Sequence, residues 1–491
     1  MMHGAGQSDS RIVPEKPLNE AVQAAEERVE GRRLAKGNER QRPMPRTPSR
    51  TDGMQAALAR IQEAVRRDRK ERMTALYHHV YSTEHLREAY QGLRRDAAPG
   101  VDGQTWEEYG RDLEQNLEGL AERLGRGAYH PPPVRRVHIP KPDGRQRPLG
   151  VPSLEDKIVQ GVVAQVLSAI WEEEFLGFSY GFRPQRGPHQ ALDALTVGIE
   201  SRAVHWVLDA DIRAFFDTLS HEWLIKFLEH RIGDKRLVRL LGRWLKAGVL
   251  EGGQWTASAE GTPQGGLISP ILANIYLHYV FDLWVQRWRG RVRGAVIVVR
   301  YADDFVVGFE RREEAERFQE ELAARLEKFQ LALHPEKTRL IEFGRQATAA
   351  RGQRGEGKPE TFDFLGFTHI CGRTRRGAFA VLRQTVAKRM RRKLQALKLE
   401  LGRRMHDLIP AQGAWLRRVL LGHYQYYGVP RNGPRLSAFR HGVFRLWGRA
   451  LAQRSQRTRN HGERMARLAK CWLPYPRIVH PYPSQRLHVT T

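Results

Sequence analysis

The sequence predicts an α+β fold that gives way to a basic, α-helical C-terminal region, and three observations carry that reading. Apolar, β-rich runs at residues 204–212 and 295–309 alternate with segments of helical periodicity. Acids interrupt or end both runs: Asp209 and Asp211 in the first, Asp303 and Asp304 in the second. Composition then changes sharply. Residues 371–404 hold twelve Lys or Arg and one acid, Glu400, and residues 440–470 hold nine and one, Glu463.

Residues 1–54 are rich in Arg, Glu, Gln, Gly and Pro with few aliphatics, and read as a basic, disordered extension with a short helix over 20–33. An amphipathic helix is expected from Met54, with Leu58, Ile61 and Val65 at helical spacing. Further helices are predicted over 155–174, 189–201, 221–231, 269–287 and 312–329. The stretch 346–361 is rich in Gly and charge, and is expected to be a loop without core residues. Beyond it, Trp415, Tyr424, Tyr426, Tyr427, Phe439, Phe444, Trp447 and Trp472 are interleaved with the basic residues. They can supply the core of a helical domain, or stack bases beside cations that grip a phosphate backbone.

Charge narrows the partners. Lys and Arg number 82 against 55 Asp and Glu in 491 residues, a formal +27. A surplus of that size repels itself unless a polyanion neutralises it, and nucleic acid is the commonest such partner. No run approaches the roughly 18 apolar residues of a spanning helix, and the N-terminus lacks a secretory apolar stretch, so the reading is cytosolic, with no membrane partner. Two distant cysteines, Cys371 and Cys471, exclude a disulfide framework and a Cys-x-x-Cys zinc site. Nineteen histidines fall without His-x-x-x-His spacing.

Tyr301-Ala302-Asp303-Asp304 lies between apolar strands and is expected on a hairpin turn. The upstream run Val207-Leu208-Asp209-Ala210-Asp211-Ile212 ends another strand in an acid, so three carboxylates, Asp211, Asp303 and Asp304, can converge. Converged carboxylates repel one another, and divalent cations remove the conflict. Two hard ions about 3.5–4 Å apart can clamp the attacking and leaving oxygens of a phosphoryl transfer. Mg²⁺ is the expected ion because it prefers oxygen ligands and takes substrate phosphates, with Mn²⁺ as a substitute. Asp209 shares the face of Asp211 but lies roughly 6.5 Å back along the strand, and is read as structural. Between the acids, Gly261-Thr262-Pro263-Gln264-Gly265-Gly266 precedes a helix N-terminus, where a nucleotide could lie.

In their order along residues 76–486 these segments resemble the reverse transcriptases encoded by bacterial group II introns. Ile139-Pro140-Lys141-Pro142-Asp143-Gly144 with Arg145 to Pro152 looks like the fingers segment, and Ser179-Tyr180-Gly181-Phe182-Arg183-Pro184 like another block of the family. The resemblance implies that Lys141 and Arg147 hold the incoming triphosphate, and that Asp211, the Ile212 carbonyl, Asp303 and Asp304 bind metal. It makes Phe216 the gate against a ribose 2′-hydroxyl, places Gln264 against the nucleotide, and makes Lys337 of His334-Pro335-Glu336-Lys337 a proton donor to pyrophosphate. Phe364-Leu365-Gly366-Phe367 resembles the primer grip; plain core packing is the alternative for those residues. Tyr424 to Asn432 and His480-Pro481-Tyr482-Pro483 resemble the thumb, or maturase, region and the segment after it.

The implied fold is a right-hand polymerase. Fingers and palm would span 55–370 around an antiparallel sheet, a helical thumb or maturase domain 371–453, and a basic, DNA-binding remnant 454–491, with no endonuclease module. The implied activity is two-metal, RNA-directed DNA synthesis from a primer 3′-hydroxyl and deoxynucleotides (dNTPs). The implied partners are RNA template and intron RNA, and DNA primer or target DNA, in a ribonucleoprotein of the bacterial cytoplasm. Lys388, Arg389, Arg391, Arg392 and Lys393 are the expected nucleic-acid contacts. The rival readings are an RNA-binding splicing cofactor and a reverse transcriptase recruited to host defence.

Overall fold

The computed structural model describes residues 53–140, 146–258, 260–262, 265–454 and 461–486. The N-terminal extension therefore lies, except for its last two residues, outside the described residues. The strands are β1 (Val134–Pro140), β2 (Gln146–Val151), β3 (Trp206–Asp211), β4 (Val249–Glu251), β5 (Gln254–Thr256), β6 (Val296–Tyr301), β7 (Asp304–Phe309), β8 (Arg339–Glu342), β9 (Phe362–Phe364), β10 (Phe367–Arg373) and β11 (Phe379–Thr385). They form three sheets. The central one runs β6-β7-β3-β8 and is antiparallel throughout. A second, β2-β1-β4-β5, is mixed, because β1 pairs parallel with β4. The third is the antiparallel β11-β10-β9.

Alternation along the central strands explains how that sheet is buried on both faces. Leu208, Val298 and Val307 enter the large core built with Phe318 and Leu322, whereas their neighbours Val207, Val299 and Val306 enter a second core with Leu192 and Leu195. The helices supplying those faces fall close to the expected positions. They are α1 (Met54–Arg67), α2 (Leu154–Trp171), α3 (Pro188–Ser201), α4 (His221–Arg231), α5 (Ser269–Leu277), α6 (Leu283–Arg289) and α7 (Arg312–Lys328). Ser153 caps α2 by accepting from the Asp156 amide at 3.1 Å.

Three expectations are corrected. The helix predicted over 269–287 is broken by a π-helical turn, His278–Asp282, between α5 and α6. All five residues of that turn are buried, and it ends at Asp282, whose carboxylate receives the buried Arg300. The loop predicted over 346–361 begins with a helix, Ala347–Gln353, with Ala347 buried, because alanines dominate its start. The change in composition at Cys371 falls inside β10, so the following helices begin only at Ala387. Its first basic residues sit on strands and their turn rather than on a helix.

The helical region consists of α8 (Ala387–Arg403), α9 (Ile409–Tyr427), α10 (Gly433–Arg454) and α11 (His461–Trp472), packed around Leu397, Leu416, Leu420, Phe439 and Trp447. The segment after α11 straps this region to α3. Val479 and His480 amides both donate to the Gly428 carbonyl, at 2.8 and 3.0 Å. The His480 ring stacks on His189 with centroids 3.8 Å apart, and Arg486 pairs with the buried Asp193 at 2.5 Å. No helix among the described residues is long and apolar enough to cross a membrane.

Arg300, on β6, is fully buried. Its guanidinium donates to both oxygens of Asp282, at 2.7 and 2.5 Å, to Asn274 Oδ1 at 3.0 Å, to Ser179 Oγ at 2.7 Å and to the Ala302 carbonyl at 2.9 Å. Removing one partner of such a pair strands the other in the core. Asp282→Ala is therefore expected to destabilise the protein by roughly 3–5 kcal/mol, measured by urea unfolding. A loss under about 1 kcal/mol, the range of exposed pairs, would show that the pair does not hold the fold.

Candidate active site

The acids are positioned by strand register. Asp211 ends β3 directly opposite Asp304, which begins β7, and Asp304 in turn faces Tyr301 at the end of β6. The β6–β7 hairpin thus closes through only Ala302 and Asp303. Ala302 has φ of 58°, a left-handed conformation that a non-glycine residue adopts at some cost. Two contacts hold it there: Arg300 binds its carbonyl, and a Cβ at Gly181 would collide with the Ala302 amide nitrogen. Gly181 belongs to a segment that pairs with β6, since the Tyr180 amide donates to the Arg300 carbonyl and the Arg300 amide to the Phe178 carbonyl, both at 2.8 Å. Asn274 clamps the same segment by donating to the Gly181 carbonyl at 2.7 Å.

Crowding of negative charge shows in the proton affinities. Burial, then the Asp303, Asp211 and Asp209 charges, push the Asp304 carboxyl up to about 7 against the pull of Lys337. Asp303 is raised chiefly by burial, with Asp211 adding and Lys337 and Arg147 opposing. Asp209 is pushed up to about 6, mainly by burial, and Arg339 partly offsets the Asp363 and Asp211 charges. The turn carrying Lys337 is fastened to β3, because the His334 amide donates to the Asp211 carbonyl at 2.8 Å. Lys337 itself bonds the Asp211 carboxylate. The bridge between Ile212 and Leu333 is flanked by bonds that use the Asp211 and Ala332 carbonyls, neither of which engages the carbonyl of Ile212.

A cleft of about 390 Å³ opens beside these groups. Its lining includes the acids Asp209, Asp211 and Asp304, the cations Lys337, Arg339 and Arg389, and the segment Phe364-Leu365-Gly366. The Phe364–Phe367 segment divides its roles. Phe364 and Phe367 pack into the second core, whereas Leu365 and Gly366, with φ of 47° and 85°, form the turn of the β9–β10 hairpin. Tyr426 Oη donates to the Leu365 carbonyl at 2.8 Å, and the Val386 amide to that of Gly366 at 3.1 Å.

Phe216 follows the turn after β3 and is half-buried, its ring edge-on to Phe215 at 5.4 Å. The Thr262 amide donates to its carbonyl at 2.8 Å, and a Cβ at Gly261 would stand 2.7 Å from the same oxygen. Arg147 is exposed on β2, close enough for its charge to act on Asp303. Lys141 and Gln264 lie outside the described residues. Of the five basic residues on α8 expected to contact nucleic acid, Arg389, Arg392 and Lys393 line a groove against α9, and Lys388 and Arg391 do not. The spacing of 389, 392 and 393 puts them on one helical face.

Sequence reasoning missed Asn274, Asp282 and Arg300. A lone cation in the apolar run Val296-Ile297-Val298-Val299-Arg300 was the available signal, since a buried arginine requires partners. It also left Asp363 and Arg339 out of the cleft that they line.

Known proteins are similar to this chain over the same region. The reverse transcriptase (RNA-dependent DNA polymerase) family matches residues 139–369. Protein YkfC of Escherichia coli is 35% identical over 316 residues, covering 58% of this chain and 79% of YkfC. The group II intron-encoded protein LtrA of Lactococcus lactis is 37% identical over 224 residues, 45% of this chain and 37% of LtrA. The mitochondrial nuclear intron maturase 4 of Arabidopsis thaliana is 28% identical over 197 residues, 40% of this chain and 23% of the maturase. The chain thus spans most of YkfC but well under half of the other two.

The close approach of Gly181 to the acid-bearing turn is directly testable. Gly181→Ala forces that turn to shift and is expected to cost roughly 1–3 kcal/mol of stability, read from urea unfolding. An unchanged midpoint would mean that the turn does not rest on Gly181.

Proposed function

This chain belongs to the reverse transcriptase family, in its group II intron-encoded branch, and we propose that the cleft beside Asp211, Asp303 and Asp304 is where it extends a DNA primer. The chain is an RNA-directed DNA polymerase that also assists splicing, and its partners are nucleic acids, RNA among them. The observation that carries the assignment to this cleft is the register of Asp211 opposite Asp304, with Asp303 on the adjoining turn.

Enzymes of this family use divalent metal ions. Mg²⁺ fits the donor set here, because the carboxylates and the Ile212 carbonyl are hard oxygen ligands, and the charges of the carboxylates repel one another until a cation arrives. Among the described residues no three acidic, His or Cys side chains yet surround one point, and Lys337 holds Asp211. Asp211, Asp303 and Asp304 would turn toward two such ions, or toward Mn²⁺ in their place. Ions bound there supply charge stabilisation to the attacking and leaving oxygens of phosphoryl transfer.

The chain's own groups do the rest. The Leu365–Gly366 turn holds the primer terminus, whose 3′-hydroxyl attacks the α-phosphorus of a deoxynucleoside triphosphate and releases pyrophosphate. Arg147, with Lys141, grips the triphosphate, and Gln264 lies against the nucleotide. Lys337, which bonds Asp211 in this structure, would give a proton to the departing pyrophosphate. Phe216 fills the space of a ribose 2′-hydroxyl. The template and the bound intron RNA are held by the basic helical region, in a ribonucleoprotein of the bacterial cytoplasm. A splicing-only protein would not require Asp211 and Asp304 to face each other across the central sheet beside Asp303.

Asp303→Ala is expected to lower primer extension on RNA by roughly 10²–10³-fold or more while filter binding of RNA stays near the parental level. Substantial residual extension would remove the metal assignment. Phe216→Ala is expected to admit ribonucleotides, compared by extension with ribo- and deoxynucleotides; unchanged discrimination would shift the gate to another residue. The high proton affinity of Asp304 adds a pH dependence. Below about 7 it gains a proton and loses its charge, so protons compete with metal. The half-saturating Mg²⁺ concentration should therefore be higher near pH 6 than near pH 8, and equal values would contradict this.

A further inference from the structure

The Leu365–Gly366 turn is fixed from outside its own hairpin. Leu365 has φ of 47°, which a side-chain-bearing residue keeps only where its surroundings hold it. The carbonyl of Gly366 accepts from the Val386 amide at 3.1 Å, and that of Leu365 from the Tyr426 hydroxyl at 2.8 Å. Val386 directly follows β11, whereas Tyr426 lies near the end of α9, in the helical region. Burial pushes the Tyr426 hydroxyl up to about 12, so it stays protonated and donates.

A stack of rings places Tyr426 in turn. Its ring centroid lies 5.8 Å from that of Phe367 and 5.1 Å from that of His189. His189, in α3, is covered by His480 of the C-terminal strap, with centroids 3.8 Å apart. Among the described residues neither ring nitrogen of His189 has a hydrogen-bond partner. Burial, then the His480, Arg486 and Arg383 charges, push its pKa down to about 3. It is an uncharged ring placed by packing alone.

The strap is fastened on both sides of this stack. His480 Nε2 donates to the carbonyl of Gln425, the residue before Tyr426, at 2.7 Å. A Cβ at Gly428 would stand 2.9 Å from the Arg477 carbonyl oxygen, so the strap lies close against the end of α9. Arg486 reaches Asp193 of α3, which Arg383 of β11 also holds at 2.8 Å.

We propose that the C-terminal strap is a positioning element for DNA synthesis: His480, through His189 and Tyr426, sets where the Leu365–Gly366 turn stands beside the acids. The proposal rests on the reading that the primer terminus sits at that turn. The three side chains act on the reaction only through the turn. Loosening them moves the primer 3′-hydroxyl relative to the α-phosphorus without removing a contact to nucleic acid, so bond formation slows while binding persists.

Single-nucleotide addition by the full-length protein, on a DNA primer annealed to an RNA template, tests this. Tyr426→Phe removes the hydroxyl and keeps the ring. It is expected to lower the addition rate at saturating deoxynucleotide roughly tenfold, within the ~10²-fold that a misplacement of about 1 Å can cost. KM for the nucleotide, the dissociation constant for the primed template (by fluorescence anisotropy) and the melting temperature should stay parental. His480→Ala is expected to slow addition in the same way, and His480→Phe, which keeps a ring over His189, to retain the parental rate. Because both links act through one bond, the double variant Tyr426→Phe/His480→Ala should be no slower than Tyr426→Phe. A parental rate in Tyr426→Phe, a multiplicative loss in the double variant, equal slowing in His480→Phe and His480→Ala, or weakened template binding in place of slowed addition overturns the proposal. Should His480→Ala fail to fold, His189→Ala takes its place in the cycle. Gly366→Ala, whose added methyl would meet Arg389 Nη1 at 2.9 Å, tests the turn itself. Slowed addition is expected there; a parental rate strikes the reading of the turn, and the proposal with it.

Discussion

The buried guanidinium of Arg300 is the interaction on which the arrangement of the site depends. A charge without solvent must be matched completely, and here two carboxylate oxygens, an amide, a hydroxyl and a backbone carbonyl do so. Each partner comes from a different piece of the chain. Asp282 closes the π-helical turn, Asn274 lies in α5, Ser179 in the segment pairing with β6, and Ala302 in the turn beside the acids. One side chain therefore fixes three elements around the left-handed residue that precedes Asp303. A rigid base for the acids matters because their carboxylates repel one another.

That repulsion organises the second layer. Asp209, Asp211, Asp303 and Asp304 crowd one end of the central sheet, and the cations near them come from other strands and turns: Arg147 from β2, Lys337 from the turn before β8, and Arg339 from β8. Burial chiefly, and then the Asp303, Asp211 and Asp209 charges, still raise the proton affinity of Asp304 against the pull of Lys337. A site left in this state favours divalent cations. The +27 surplus of the whole chain lies elsewhere, much of it in the helical region, where it serves a polyanion. Negative charge is concentrated at the end of the central sheet and positive charge in the helical region.

Much of this was legible in the residues. Strand ends with acids could be read because an apolar run of period two fixes which face each residue takes, and α4 was recovered at both ends because its periodicity is plain. What could not be read depended on partners distant in sequence. Arg300 and Asp282 are 18 residues apart, and no local rule distinguishes the π-helical turn from the α-helix on either side. The start of the helical region was displaced because basic composition is shared by β10, β11 and α8, so charge does not mark the boundary. The Phe364–Phe367 segment was ambiguous for a reason now visible: both phenylalanines are core, and Phe364 with the turn also lines the cleft. Asp209, read as structural, has one foot in each role, paired with Arg339 at 3.8 Å yet forming part of the cleft wall.

The central claim is that these carboxylates, held by the Arg300 network, support metal-dependent DNA synthesis on RNA. Its most direct test is primer extension by the intact protein on a primed RNA template with all four deoxynucleotides, while Mg²⁺ is titrated. Elongation to the end of the template, arrest on chelation and recovery when Mg²⁺ is restored are expected. A protein that binds the primed template tightly yet adds no nucleotide at any Mg²⁺ or Mn²⁺ concentration would contradict it.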